Sequence, residues 1–254
     1  MRNVVIIGAT RGLGASLVNQ YSATPSINVH GTARYTAAPH TKHNVQWISN
    51  IDIGHEGAGR RLASLYMADG PIDLLIICAS YFLTESLHDL HWNKELDMYT
   101  TNVIGPVFLI NHLVHAGLLK KGSRIVLVGS ESGSIALKTL EGGGGNYGGN
   151  GSKAALNMAA KLLSIDLKEK EISVVVVHTG YLRKQNKDGE FDVGGVGAVK
   201  PDVAAASLKE WIQTSYTPEI SGQFWAIRGT ADIKTAEAVL GPRDALPVPL
   251  QLPY

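Results

Sequence analysis

The chain lacks most features that mark secreted, membrane or nucleic-acid-binding proteins. It has one cysteine in 254 residues, Cys78 in Leu74-Leu-Ile-Ile-Cys78. A lone cysteine closes no intrachain disulfide, so a reducing compartment is expected. Basic and acidic side chains nearly cancel, 23 against 22, for a net charge of +1. That leaves no field to hold nucleic acid or an anionic membrane surface. No apolar run approaches the ~18–20 residues of a membrane-spanning helix. The ordered pattern begins at once with Val4-Val-Ile-Ile7, which argues against a cleaved leader. A cytoplasmic protein with a small-molecule partner is the expectation, and nothing in the sequence calls for a metal.

What is present is a hydrophobic fraction of 44% against 18% charged, enough apolar material for one large core. Short β-branched runs alternate with longer helical patterns. Strands are expected at Asn3–Ile7, Asn28–Gly31, Val45–Ile48, Leu74–Cys78, Arg124–Val128, Ser173–His178 and Gln223–Ile227. Several lack polar alternation, as strands covered on both faces do. Helices are expected near 12–23, 56–68, 92–118, 152–169 and 201–213. This βαβ alternation predicts one α/β domain over residues 1–254, doubly wound in the Rossmann manner: a seven-stranded, mostly parallel sheet with helices on both faces. The Gly-rich stretch 142–151 reads as a loop between strand and helix. Gly241–Tyr254, with four prolines, reads as an extended surface tail.

The first strand runs into Gly8-Ala-Thr-Arg-Gly12-Leu-Gly14 and then a helix. Glycines let a backbone turn tightly and approach a pyrophosphate, and the helix N-terminus adds free N–H groups and partial positive charge. Alone, the triplet also fits a plain strand-to-helix turn. At the head of a doubly wound pattern it points to a dinucleotide.

The spacing Gly-x-x-x-Gly-x-Gly resembles the short-chain dehydrogenase/reductase family, and further motifs extend the resemblance along nearly the whole chain. Asp52 in Ile51-Asp-Ile53 is similar to the family's adenine-contacting aspartate. Asn102 in Thr101-Asn-Val-Ile-Gly105 resembles its active-site asparagine, Ser130 in Val128-Gly-Ser130 its serine, and Lys153 its lysine. His178-Thr-Gly180-Tyr-Leu182 resembles the His-Pro-Gly stretch after strand six. Ser152-Lys-Ala-Ala-Leu-Asn157 and the loop before it look most like the sniffer and C-factor branch of carbonyl reductases. The resemblance implies cofactor contacts from Gly8, Thr10, Arg11, Gly12, Leu13 and Gly14. It also implies them from Asp52, Ile53, Ala79, Asn102, Lys153, Gly180 and Leu182. It implies a homodimer or homotetramer assembled through the helices near 92–118 and 152–169.

Strand two ends in Gly31-Thr-Ala-Arg34, where NAD-selective folds place an acid for the ribose 2′-OH. Arg34 with Arg11 makes a two-pronged site for a 2′-phosphate, so NADP(H) is the expected cofactor; the alternative is two solvated arginines.

In the resembled family a tyrosine four residues before the lysine carries the proton, and here that position is Gly149. Tyr147 lies two residues too early. Residues six apart on a helix differ by about 240°, so Tyr147 reaches the site only if residues 148–151 are not helical; otherwise it is a loop aromatic. Glu131, Ser132, Tyr81 and Tyr181 flank the expected cleft as weaker candidates. His178 reads as a side chain satisfying hydrogen bonds at a strand end. The family's Asn-Asn-Ala-Gly reads Ile77-Cys-Ala-Ser80 here, so its bridging role is lost or reassigned. Residues 184–200, rich in glycine, fall where the family has a mobile substrate lid, or form a plain surface loop.

Three functions fit. The first is an NADP(H)-dependent oxidoreductase for a carbonyl or alcohol, in specialised metabolism, with an atypical site built on Ser130, Lys153, Asn102 and Tyr147. The second is a non-redox dehydratase, isomerase or cyclase on the same scaffold. The third is an inactive nucleotide-binding protein.

Overall fold

A computed structural model describes residues 2–35, 44–186, 188, 190–195 and 197–254. Seven parallel strands form its sheet: β1 (Arg2–Ile7), β2 (Ile27–Thr32), β3 (Val45–Ile48), β4 (Leu74–Ile77), β5 (Arg124–Val128), β6 (Ser173–His178) and β7 (Phe224–Ala226). All four residues of β4 and all six of β6 are buried. Their two faces feed two different cores. Val5, Ile7, Leu75, Ile77, Val174 and Val176 pack on one side, against α2 (Ala58–Leu65), α4 (Gly105–His115) and α5 (Tyr147–Asp166). Val4, Ile6, Leu74, Ile76, Val175 and Val177 pack on the other, against α1 (Gly12–Ser22) and α6 (Pro201–Thr214). The two-residue period of a strand makes this partition, and it explains why the sequence runs there are apolar without alternation.

The order is β3-β2-β1-β4-β5-β6-β7-β8. The chain leaves β1 in one direction and returns to its other side at β4, so the strand order reverses between them. Ligands in doubly wound folds bind at the carboxyl ends of the strands at such a reversal.

Two expectations are revised. The proline-rich tail is more than an extended surface segment. Its residues Leu250–Gln251 form β8, antiparallel to β7, so the sheet has eight strands. Leu252 is buried, its N–H donates to the Phe224 carbonyl at 2.8 Å, and the Tyr254 ring stacks on Phe224. Prolines cannot seed a central strand, but they suit this outer edge, where no further partner is needed. The other revision concerns the segment expected as one helix over 92–118. It is α3 (Trp92–Tyr99), a π turn at Thr100–Ile104, and then α4. Pro106 has no N–H to give the Asn102 carbonyl, and the Gly105 N–H bonds back to Thr100 instead.

Candidate active site

A cleft of about 660 Å³ opens at the carboxyl ends of β1, β4, β5 and β6. Gly8, Thr10, Arg11, Gly12, Leu13 and Gly14 line one end, joined there by Arg34, Asp52, Ile53 and Ala79. Asn102, Ser130, Lys153 and Leu182 line the other. Of the site residues expected from sequence, only Gly180 and Tyr147 stand outside the lining. Gly180, at φ +101°, instead turns the chain beside Arg228.

At the first end the backbone does most of the work. Gly12 has φ +55°, and a Cβ there would meet no protein atom within 4 Å, so the turn leaves open space over the start of α1. The N-cap residue Arg11 makes no capping hydrogen bond, and the first turn of α1 holds no acidic side chain. The N–H groups there are therefore free of side-chain competition for an anion. Arg11 and Arg34 are both exposed on this cleft. Asp52 turns one carboxylate oxygen back to the Gly54 N–H at 3.0 Å, which fixes the loop after β3. These groups fit a dinucleotide phosphate backbone.

At the second end Asn102 is 2% exposed and its amide is fully used. Oδ1 accepts from Ser80 Oγ and from the Tyr81 N–H, both at 2.9 Å. Nδ2 donates to the Tyr81 carbonyl and to Ser152 Oγ, both at 2.9 Å. The bridging role lost from Ile77-Cys-Ala-Ser80 thus passes to Ser80 and the Tyr81 backbone. Asn102 ties the β4 loop to α5 and is itself a structural brace. Lys153 donates from Nζ to the Val128 carbonyl at 2.9 Å, and burial brings its ammonium down to about 8. Cys78 lines the cleft nearby, but burial pushes its thiol up to about 12, so it stays protonated and weakly nucleophilic.

The glycines before Lys153 do not break the helix. α5 begins at Tyr147, five residues earlier than expected. Tyr147 then sits about 240° from Lys153, half-exposed and off the cleft. Proton transfer by Tyr147, the sequence expectation, finds no geometric support. Gly149 does line the cleft on the Lys153 face, and an ideal Cβ there would lie 2.7 Å from Phe82 Cε2. The Phe82 ring covers the place from which a tyrosine would start. The 81–85 segment is held down by reciprocal backbone bonds. Asn146 Oδ1 accepts from the Glu85 N–H at 3.0 Å, and Glu85 Oε2 accepts from the Gly148 N–H at the start of α5, also at 3.0 Å. A carboxylate at a helix N-terminus is well placed against the helix dipole.

Next to Ser130 stands a chain of ionisable groups. Ser130 Oγ donates to Glu131 Oε2 at 2.7 Å and accepts from Ser132 N and Oγ at 3.2 and 2.9 Å. Glu131 Oε2 lies 3.3 Å from His178 Nδ1, which also faces the Glu131 N–H at 3.3 Å. His178 Nε2 lies 2.9 Å from Asp232 Oδ2, and that oxygen accepts from the Tyr181 N–H at 2.5 Å. Burial opposes ionisation of Asp232, but the bond and charge of His178 outweigh it and hold the carboxyl below its usual range. His178 does satisfy hydrogen bonds at a strand end, as expected. Sequence reasoning did not foresee that its partners are two carboxylates of the cleft. Asp232 and Phe82 were missed outright. Asp232 lies 54 residues from His178 with no local pattern to mark it, and Phe82 sits in a run with no periodicity. The described part of the 184–200 segment folds back on itself through Lys184–Val193 and Leu182–Val199 bridges; Gly189, expected within it, lies outside the described residues.

Residues 2–191 match the short chain dehydrogenase family model, and the chain belongs to that family. An uncharacterized oxidoreductase of Saccharomyces cerevisiae is 28% identical over 90% of this chain and 96% of its own. The C-signal protein of Myxococcus xanthus is 32% identical over 63% of this chain and 92% of its own. Among solved structures, an NADPH-bound carbonyl reductase from chicken fatty liver superposes with TM-score 0.74 at 21% identity, covering 89% of this chain and 96% of that one. The Sniffer carbonyl reductase of Drosophila melanogaster does so with TM-score 0.72 at 22% identity, over 88% and 96%. The relatives thus include the C-signal protein and the structural neighbours the Sniffer reductases, the branch that Ser152–Asn157 resembles. No helix among the described residues is long and apolar enough to cross a membrane.

Proposed function

We propose that this protein is an NADP(H)-dependent oxidoreductase acting on a small carbonyl or alcohol substrate, in specialised metabolism. The observation that carries the reading is continuity: one cleft joins the α1 N-terminus, Arg11 and Arg34 to Ser130 and Lys153. In this reading the Gly8–Gly14 turn holds the pyrophosphate and the two guanidiniums grip the 2′-phosphate. Asp52 and Ile53 flank the adenine, Lys153 binds the nicotinamide ribose, and Leu182 borders the nicotinamide, with the Gly180 turn just before it outside the lining. A bound nicotinamide supplies the hydride that this chain's side chains cannot. Tyr81, Phe82 and Tyr181 make the substrate end aromatic, and Lys184 Nζ, 5.9 Å from the centre of the Phe82 ring, supports reading the described part of 184–200 as a substrate lid.

Exposed Trp92, Leu96, Phe108, Met158, Leu162 and Ile165 on α3, α4 and α5 support assembly as a homodimer or homotetramer. Phe82 over Gly149 favours a second reading, a non-redox enzyme that keeps the nucleotide as structure. Product formed without any change in nicotinamide absorbance is its signature. Calorimetry tests the first: NADPH is expected to bind at least about tenfold more tightly than NADH, the worth of one phosphate contact of about 1.4 kcal/mol. Equal affinities overturn it.

A further inference from the structure

We infer that Glu131, working through Ser130 and backed by His178 and Asp232, is the acid–base group that replaces the tyrosine missing at position 149. The inference rests on the oxidoreductase reading and concerns the proton that reading requires.

When a carbonyl carbon accepts a hydride, the π pair of the C=O bond moves to oxygen, and one proton must reach that oxygen. The nicotinamide is oxidised and the carbonyl reduced, so the protein supplies only the proton. Four groups stand in line along the cleft wall: Ser130 Oγ to Glu131 Oε2 at 2.7 Å, Glu131 to His178 Nδ1 at 3.3 Å, and His178 Nε2 to Asp232 at 2.9 Å. Glu131 is the exposed member and the side chains of the other two ionisable groups are buried. The Glu131 side chain is 32% exposed, His178 5% and Asp232 8%. Glu131 therefore meets solvent and substrate, while the His178–Asp232 pair lies behind it.

The geometry serves both directions. In reduction the Ser130 hydroxyl proton passes to the substrate oxygen and the Glu131 carboxyl proton passes to Ser130 Oγ. Glu131 is left as a carboxylate that takes its next proton from water, while His178 Nδ1 accepts from the Glu131 N–H and fixes the residue in place. In oxidation the same protons run backwards. Ser130 Oγ accepts from Ser132 N and Oγ and donates its own proton to Glu131 Oε2, the arrangement needed for oxidation; for reduction the Ser132 hydroxyl rotates away, so that Oγ can accept from the Glu131 carboxyl and turn its proton to the substrate. No phenol is then needed beside Lys153, which accords with Gly149 there and Phe82 above it. The ionisable groups around Glu131 are His178 on β6, Asp232 after β7, Tyr181 after β6 and Lys153 on α5. All but His178 line the same cleft.

The test is Glu131→Gln in the full chain, which keeps shape and hydrogen bonding but carries no exchangeable acid. NADPH affinity and Tm should hold. Ketone turnover should fall about 100-fold, the usual worth of a positioned acid, and its pH-dependent limb should vanish. Glu131→Ala should regain turnover on adding formate. Without cofactor or substrate, ring-nitrogen NMR of His178 gives an independent readout: its Nδ1 signal should move in Glu131→Gln, because the carboxylate oxygen 3.3 Å away is lost, while its Nε2 signal, set by Asp232, should hold. Undiminished turnover in Glu131→Gln overturns the relay alone. So does a loss of turnover with an unmoved His178 Nδ1 signal and no formate rescue, since that is the mark of a merely structural role. A wild-type chain that binds NADPH and reduces no carbonyl overturns the oxidoreductase reading and the relay with it.

Discussion

At one end of the cleft, recognition rests on backbone: a left-handed glycine, the open N-terminus of α1, and two arginines on one rim. At the other end, the groups that can move a proton are side chains delivered by four separate segments. Ser130 and Glu131 follow β5, His178 ends β6, Asp232 follows β7, and Lys153 rides on α5. A backbone site tolerates little change, because turn, helix and sheet must all agree. A site assembled from separate side chains can be rebuilt one residue at a time while the scaffold stays put. That difference lets position 149 carry no proton-bearing side chain while the Gly8–Gly14 turn at the nucleotide end keeps its form.

The sharpest way to break the comparison is to fill the backbone site. Gly12→Val places its side chain in the open space over α1 and touches no other protein atom at Cβ. Its left-handed φ costs roughly 1–2 kcal/mol of stability. NADPH affinity is expected to fall about 100-fold, the loss of nearly 3 kcal/mol of phosphate contact. Calorimetry on the folded variant checks this. If affinity is unchanged, phosphates do not sit on this turn and the two ends are not built as described.

Two buried histidines sharpen the contrast further. His178 lies between two carboxylates. His30 on β2, under the nucleotide end, is fully buried beside the Tyr66 ring, and neither ring nitrogen has a hydrogen-bond partner among the described residues. Burial brings it down to about 4. A depressed histidine stays neutral in the fold while the unfolded chain takes up a proton near its ordinary value. His30 is therefore silent above about pH 6.5, and stability is lost as pH falls from there towards about 4. At pH 5 the loss is about 2 kcal/mol, at 1.36 kcal/mol for each unit below the unfolded value. His30→Leu should remove that share of the acid sensitivity. Urea unfolding at pH 7 and pH 5 measures it, as the difference between variant and wild type at the two values. An equal pH dependence in both would show that His30 is not the group responsible.

The fold was legible because both of its signals are local. Val4–Ile7 and Leu74–Ile77 announce buried parallel strands by their unbroken apolar runs, and Gly8–Gly14 announces the turn by spacing alone. The eighth strand was not, since Leu250–Gln251 is too short for a period and lies among prolines. At the substrate end Ser130 and Lys153 were legible as motif positions, and both line the cleft. The start of α5 was misread because glycine has low helix propensity. Packing from α3 and the Phe82 segment, with the Glu85 carboxylate at its first turn, overrides that propensity. The pairing of His178 with Asp232 is a long-range contact between the end of β6 and the segment after β7, and no spacing rule encodes such a contact.

The smallest expected effect tests whether the two ends remain independent. Gly149 shares a helix face with Lys153 and lines the cleft, so a phenol there would enter the site that the family's tyrosine occupies. Phe82 stands in its way, but its ring is half-exposed on a loop and Phe82→Ala clears it. In Gly149→Tyr/Phe82→Ala, NADPH affinity should stay within a factor of about two, because no residue of the nucleotide end is touched. Ketone turnover should rise about tenfold over that of the Glu131→Gln variant when Glu131→Gln is added to the pair, a modest fraction of what a well-placed acid supplies. Steady-state turnover with and without Glu131→Gln measures it. If the phenol rescues, proton delivery is interchangeable on an unchanged cofactor platform, and the substrate end differs from its relatives only in which side chain holds the proton. If it does not, the aromatic wall of Tyr81, Phe82 and Tyr181 has moved the substrate oxygen away from the α5 face and towards Ser130 and Glu131.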